Sequence, residues 1–219
     1  QDVRYYLNGL LFETSDKRLR AVATDGHRLA LCDLETDMGE MPAQQVILPR
    51  KGVLELLRLL SDTEDAANVE LGTNHVRVQL PGLRFTSKLI DGRFPEYDRV
   101  VPKGGDKIIT VERQALREAL TRAAILSNEK YRGIRLNLGD IRLRIQAHNP
   151  EQEEAEDEVE VQYQGAELEI GFNVTYLLDA LAALNSEQVI LTMTDSNSSC
   201  LIQEPEGQDC RYVVMPMRL

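Results

Sequence analysis

Tryptophan is absent from this chain, and cysteine is limited to Cys32, Cys200 and Cys210. An odd number without Cys-x-x-Cys spacing argues against a disulfide framework or a zinc site and fits reduced thiols in a cytosol. No run of about eighteen apolar residues occurs, which excludes a membrane-spanning helix. Residues 1–8 hold neither the basic stretch nor the apolar segment of a secretory signal. Glycine-rich phosphate loops are missing too: Lys103-Gly-Gly-Asp-Lys has neither the dinucleotide nor the Walker spacing. His75 and His148 stand alone, without the spacing of metal ligands. No metal and no cofactor are expected.

Basic residues are outnumbered, 25 against 36 acidic, for a net charge of −11. That balance superficially opposes a nucleic-acid partner. The acid is concentrated, however: Glu151, Glu153, Glu154, Glu156, Asp157, Glu158 and Glu160 sit together with no Lys or Arg among them. The mildly acidic remainder is still able to present a basic face.

What is present is the composition of a globular protein, 42% hydrophobic and 28% charged over 219 residues, enough for two small domains. An internal repeat supports that number. Val3 to Phe12 and Leu19 to Thr24 alternate around Ser15-Asp-Lys. Lys130 to Leu138 and Ile141 to Ala147 do the same around Gly139-Asp. A further strand follows in each half, Leu29 to Leu34 and Glu158 to Tyr163. A helix comes next, from Arg50 to Leu60 and from Asn173 to Leu184, each preceded by a short β stretch. Strands at 69–71, 76–80 and 83–88 close the first copy, and strands at 189–194, 199–203 and 211–215 close the second.

The second copy opens with Ile108-Ile-Thr-Val and a helix from Arg113 to Leu126, for which the first copy has no counterpart. The chain is therefore expected to begin inside its first copy. Pro95, Pro102 and Gly104-Gly105 mark a connector, giving domains 1–103 and 104–219. In the helix from Arg50, Val53, Leu54, Leu56, Leu57, Leu59 and Leu60 are expected to fill an apolar face, with Lys51, Glu55 and Arg58 on a polar stripe.

One pair invites a catalytic reading, Asp25 with His27, as in a small cytosolic hydrolase. No G-x-S-x-G nucleophile elbow accompanies it, and Asp-Gly is ordinary turn chemistry. The end of the chain, Tyr212-Val-Val-Met-Pro-Met-Arg-Leu219, is apolar where ends are usually polar. Pro216 cannot continue a central strand, and Met215 and Met217 supply flexible side chains suited to a pocket for varied apolar ligands. Val213 and Val214, taken alone, read as core.

Several motifs together resemble the bacterial DNA sliding clamp family, the beta subunit of polymerase III. They are Thr24-Asp-Gly-His-Arg-Leu, Phe85-Thr-Ser-Lys-Leu-Ile-Asp-Gly-Arg-Phe-Pro-Glu-Tyr, Ala124-Ile-Leu-Ser-Asn-Glu-Lys, Asn149-Pro-Glu-Gln-Glu-Glu-Ala-Glu, Gly171-Phe-Asn and Val214-Met-Pro-Met-Arg-Leu. The resemblance runs the length of the chain. It implies an α+β fold of repeated clamp domains, each with two helices packed on antiparallel β-sheets. Here it covers most of the second domain, without its first strand and helix, and the whole third.

The resemblance implies a non-catalytic, cytoplasmic processivity factor. Such a ring encircles duplex DNA without base readout and tethers polymerases and the clamp loader through linear peptides. The matching peptide groove comprises Leu7, Thr24, Gly26, His27, Arg28 and Leu29; Pro95, Arg99 and Val100; Asn173, Tyr176 and Ser199; and Val213, Val214, Met215, Pro216, Met217, Arg218 and Leu219. DNA contacts are expected from Gln1, Tyr5 and Tyr6, and from Arg50, Lys51, Arg58, Arg117 and Arg122 on the helices. As neighbours in a strand, one of the two tyrosines is expected to face inward. Ile125 and Leu126, with Glu151, Glu153, Glu154 and Glu156, match the interface of the homodimer. This shorter chain, lacking the complementary first domain, is expected to be a monomer.

Overall fold

The computed structural model describes residues 5–36, 42–61, 63–207 and 209–219, with backbone alone at Tyr6. The chain forms two compact units, one of Gln1–Asp25 with Leu31–Glu96, the other of Gly26–Ala30 with Tyr97–Leu219. The division falls ahead of the connector's second proline, and a five-residue piece of the first repeat joins the second unit.

In the first unit, β1 (Gly9–Ser15) and β2 (Arg18–Thr24) make a hairpin with Leu11 opposite Val22. β4 (Gln44–Pro49) pairs along the other edge of β1, Leu10 facing Leu48, and β3 (Arg28–Glu35), which belongs to this unit from Leu31 onward, lies beside β2. Helix α1 (Arg50–Leu60) follows β4 directly. A separate antiparallel meander is made by β5 (Asn68–Leu71), β6 (His75–Leu80) and β7 (Leu83–Lys88). Period-two alternation puts Val76 and Val78 of β6 into one core with Val46, Leu48, Leu56 and Leu89. Gly52 lets α1 approach β7 closely, since a Cβ there would stand 3.0 Å from Ser87 Oγ.

Two expectations for this unit are corrected. The first strand begins only at Gly9, because Tyr5–Leu7 turns as a 3-10 helix, closed by the Asn8 amide donating to the Tyr5 carbonyl at 3.1 Å. The apolar face of α1 is not filled. Leu56 is buried and Val53 half-buried, but Leu54, Leu57 and Leu60 are 49%, 68% and 39% exposed.

In the second unit the strands are β8 (Lys107–Glu112), β9 (Gly133–Gly139), β10 (Arg142–His148), β11 (Glu154–Gln162), β12 (Leu168–Asn173), β13 (Gln188–Met193), β14 (Cys200–Gln203) and β15 (Cys210–Val214). Their order is β12-β9-β10-β11-β8-β13-β14-β15, every pair antiparallel. Helices α2 (Arg113–Ala124) and α3 (Val174–Ala182) pack on one another over this sheet. Small residues on α2, Ala119 and Ala123, allow the close approach and are fully buried. The Glu112 carboxylate caps α2 by accepting from the amides of Gln114 and Ala115. The core joins Leu116 and Leu120 of α2 with Leu177 and Leu181 of α3 and the inner positions of the strands.

Strand β11 starts four residues earlier than expected and so takes in most of the acidic run. Cys200 is a buried free thiol, and desolvation pushes its pKa up to about 12.

Candidate functional site

Helix α3 organises the site. Asn173 caps it, its Oδ1 accepting from the amide of Thr175 at 2.9 Å and that of Tyr176 at 3.4 Å, while its Nδ2 donates to the Tyr131 carbonyl at 3.3 Å. The cap fixes Tyr176 in the first turn. The Arg28 guanidinium lies over the Tyr176 ring, 4.3 Å from its centroid, and Nη1 donates to Asp179 Oδ2 at 2.5 Å. The His27 ring stacks on the same tyrosine at 6.5 Å between centroids and 27° between planes. The left-handed turn ahead of it, φ +90° at Gly26, suits glycine.

The end of the chain forms a strap. The Met215 amide donates to the His27 carbonyl at 3.0 Å, and the Met217 amide to the Gly171 carbonyl at 2.8 Å. Two glycines make room for it. A Cβ on Gly133 would meet Leu219 Cδ2 at 2.5 Å, and one on Gly171 would meet the Met217 carbonyl oxygen at 2.6 Å. Thus β9 and β12 receive the strap because they lack side chains at those two points. Met215 and Leu219 remain 40% and 57% exposed. An aromatic plane with its cation, on the unit that also carries the exposed Met215 and Leu219, offers a surface for apolar ligands carrying a polar edge.

Of the expected groove residues, the second unit therefore joins Gly26, His27, Arg28, Asn173, Tyr176, Met215, Met217 and Leu219 through direct contacts or hydrogen bonds. Pro216 and Arg218 belong to the same strap. Leu29, Val213 and Val214 are buried, at 3%, 0% and 1% exposed. As consecutive residues of β15, Val213 and Val214 face opposite sides of the sheet, and both sides are covered there. Ser199 is half-buried just ahead of β14, and Arg99, which ends a 3-10 turn at Tyr97–Arg99, and Val100 after it are exposed. Leu7, Thr24 and Pro95 are in the first unit, at the 3-10 turn, at the end of β2 and on an exposed loop. Sequence reasoning passed over Asp179, Gly133 and Tyr131. For Asp179 the signal was its i, i+3 spacing from Tyr176 on a helix.

The charged candidates divide. Gln1 lies outside the described residues, as does the side chain of Tyr6. Tyr5 is 56% exposed on the 3-10 turn, so the inward-facing alternative of a strand does not apply to it. Arg50, Lys51 and Arg117 are exposed. Arg58 is paired with Glu55 of its own helix, and Arg122 with Asp157 at 2.6 Å. The hydrogen bond from Arg122 holds the Asp157 carboxyl below its usual range.

At the expected interface, Ile125 follows α2 and is 77% exposed, whereas Leu126 is half-buried. Glu151, Glu153, Glu154 and Glu156 are all exposed. The acidic run does not lack counterions as its sequence implies. Register places Arg144 opposite Glu158 and His148 opposite Glu154. Arg142 reaches Glu158 at 3.2 Å, Arg144 reaches Glu156 at 3.4 Å, and His148 reaches Glu154 at 3.3 Å. The reason is cross-strand pairing, which segment composition does not show. Among the described residues no group of three or more His, Cys, Asp or Glu is placed to hold a metal ion, and no helix is long and apolar enough to cross a membrane.

Two repeated α+β units with these elements define the sliding-clamp fold. Residues 1–96 match the family model for the central domain of the DNA polymerase III beta subunit, and residues 98–218 that for its C-terminal domain. The chain belongs to this family. It is 61% identical over 219 residues to the beta sliding clamp of Pseudomonas putida, covering 100% of this chain and 60% of that protein. Its structure is similar to that of a DNA polymerase sliding clamp from Pseudomonas aeruginosa, with a TM-score of 0.98 and 58% identity over 100% of this chain and 60% of the other. A P. aeruginosa sliding clamp bound to griselimycin matches over 100% of this chain and 59% of the other, at a TM-score of 0.97 and 58% identity. The chain thus spans about 60% of the length of the relatives it matches.

Proposed function

We propose that this chain is the peptide-docking part of a DNA polymerase processivity clamp. In that role it is a non-catalytic, cytoplasmic protein whose longer form closes as a homodimer around duplex DNA. Polymerases and the clamp loader dock through linear peptides whose apolar side chains enter a hydrophobic groove of the clamp. The observation that carries the reading is the strap, seated on Gly133 and Gly171 and bonded to His27, with Met215 and Leu219 left exposed. Met215, Arg28 and Tyr176 receive the apolar anchors and their polar edge. Griselimycin, bound by the P. aeruginosa clamp, is proposed to compete for the same surface. The hydrolase reading on Asp25 and His27 has no support, since the relatives that match are named as clamps.

Deleting residues 215–219 is the test. Binding of a fluorescent Gln-Leu-x-Leu-Phe peptide is expected to weaken at least tenfold, about 1.4 kcal/mol, because apolar anchors dominate such interfaces. Affinity unchanged by the deletion would place the peptide elsewhere. DNA binding by the acidic 219-residue chain is expected to be weak, sequence-independent and salt-sensitive. Alone, the chain is proposed to be a monomer, since a head-to-tail interface needs two complementary halves. Sedimentation at micromolar concentration checks this, and a dimer disrupted by Ile125→Ala with Leu126→Ala would overturn it.

A further inference from the structure

Asp179 falls outside the groove residues that the family resemblance implies, yet it fixes one of them. Tyr176 and Asp179 stand three apart on α3 and share a face. Together they hold one guanidinium in two ways. The Tyr176 ring lies under its plane at 4.3 Å, and the Asp179 carboxylate takes an Nη1 hydrogen at 2.5 Å. A planar, delocalised cation satisfies an aromatic face and a carboxylate edge at once, which a lysine ammonium does not. The pair is unevenly exposed, with the Arg28 side chain at 35% and that of Asp179 at 57%. The carboxylate is thus the more exposed member of the pair.

Resting on the groove reading above, we propose that Asp179 is a specificity residue that makes the groove prefer basic over acidic residues beside the apolar anchors. Holding Arg28 against Tyr176 removes a cation that would otherwise recruit ligand carboxylates. An acidic ligand residue arriving at this pair either displaces Asp179 from Arg28 or faces it as a like charge. A ligand ammonium or guanidinium instead meets an exposed carboxylate. At this exposure the effect acts on selectivity more than on total affinity, and it weakens with salt.

The test uses the 219-residue chain and three labelled peptides sharing Gln-Leu-Ser-Leu-Phe, flanked at either end by Lys-Lys, Gly-Gly or Glu-Glu. Wild type is expected to bind the Lys-Lys peptide more tightly than the Glu-Glu peptide. In Asp179→Asn that ratio of Kd values falls at least threefold at 50 mM salt, and the difference between variant and wild type disappears at 500 mM. Asp179→Glu retains the preference, whereas Arg28→Lys, which keeps the charge but loses the fork, lowers it. A wild-type ratio in Asp179→Asn, with all peptides still dependent on residues 215–219, overturns the assignment of Asp179 and leaves the groove standing. Peptide binding that survives removal of residues 215–219 overturns the groove reading and this inference together.

Discussion

Helices α1 and α3 hold the same place in their units, each following an edge strand and preceding three antiparallel strands. Aligned from their first residues, Val53, Leu54, Leu57 and Leu60 correspond to Leu177, Leu178, Leu181 and Leu184. The apolar pattern is shared but its fate is not. Leu181 is 1% exposed and Leu57 68%; Leu184 is 3% exposed and Leu60 39%. In the second unit, Leu116 and Leu120 of α2 meet Leu177 and Leu181 with Leu136, Leu191 and Ile202, leaving an interstice too small for water. In the first unit no helix among the described residues lies on α1. The comparison teaches that amphipathic spacing specifies a face wanting cover, while burial depends on a second element being there.

The largest expected effect follows from that contrast. Leu181→Ala removes side-chain atoms from a closed core and is expected to cost about 2–5 kcal/mol. Leu57→Ala, at the matching position, is expected to change stability by less than about 0.5 kcal/mol. Urea unfolding of the two variants measures both. Equal losses would break the comparison and show that the α1 face is covered in solution, by a second copy of the chain.

Much of this was legible beforehand, for identifiable reasons. The apolar period of α1 and the short β stretch ahead of it located that helix, and period-two alternation located the hairpins. Tyr5–Leu7 was misread as strand, because a 3-10 turn of apolar residues has no periodicity of its own. The start of β11 was missed because Glu and Asp are poor strand formers, and the arginines of β10 that tolerate them lie on another strand. At the site, the apolar end of the chain and the Gly-His-Arg turn were visible as motifs. The function of Gly133 and Gly171 was not, since it consists of receiving a strap from more than forty residues away. Asp179 is not singled out by any motif, and the placement of Arg28 gives it a role.

A second expected effect, of intermediate size, sharpens the contrast at the helix starts. The Asn173 side chain accepts two backbone hydrogen bonds at the start of α3, while Pro49, its counterpart before α1, makes no side-chain cap. Asn173→Ala is expected to cost about 1 kcal/mol. It should also loosen Tyr176, so peptide affinity is expected to fall with stability, and Asn173→Ser is expected to recover most of both. Titration of folding and of peptide binding across these variants checks it. A loss of stability with peptide affinity untouched would separate the cap from the site.

The smallest effect concerns how each unit uses an arginine near the end of its helix. Arg122 reaches from α2 to Asp157 on β11, joining two elements distant in sequence, whereas Arg58 pairs with Glu55 inside α1. Both carboxyls are held below their usual range, in each case first by the arginine's hydrogen bond. A depressed folded pKa means that the stabilisation is complete above the ordinary carboxylate value, near about 4, and is lost as pH falls through the folded one. Asp157→Asn should therefore flatten the acid limb of the stability curve while leaving its slope near neutrality unchanged. Glu55→Gln is expected to do much less, because an exposed i, i+3 pair also forms in residual helix of the unfolded chain and is screened by water. Acid unfolding followed by circular dichroism at low salt distinguishes them. An acid limb as steep in Asp157→Asn as in wild type would show that the tie between α2 and β11 contributes nothing beyond what an exposed pair within one helix does.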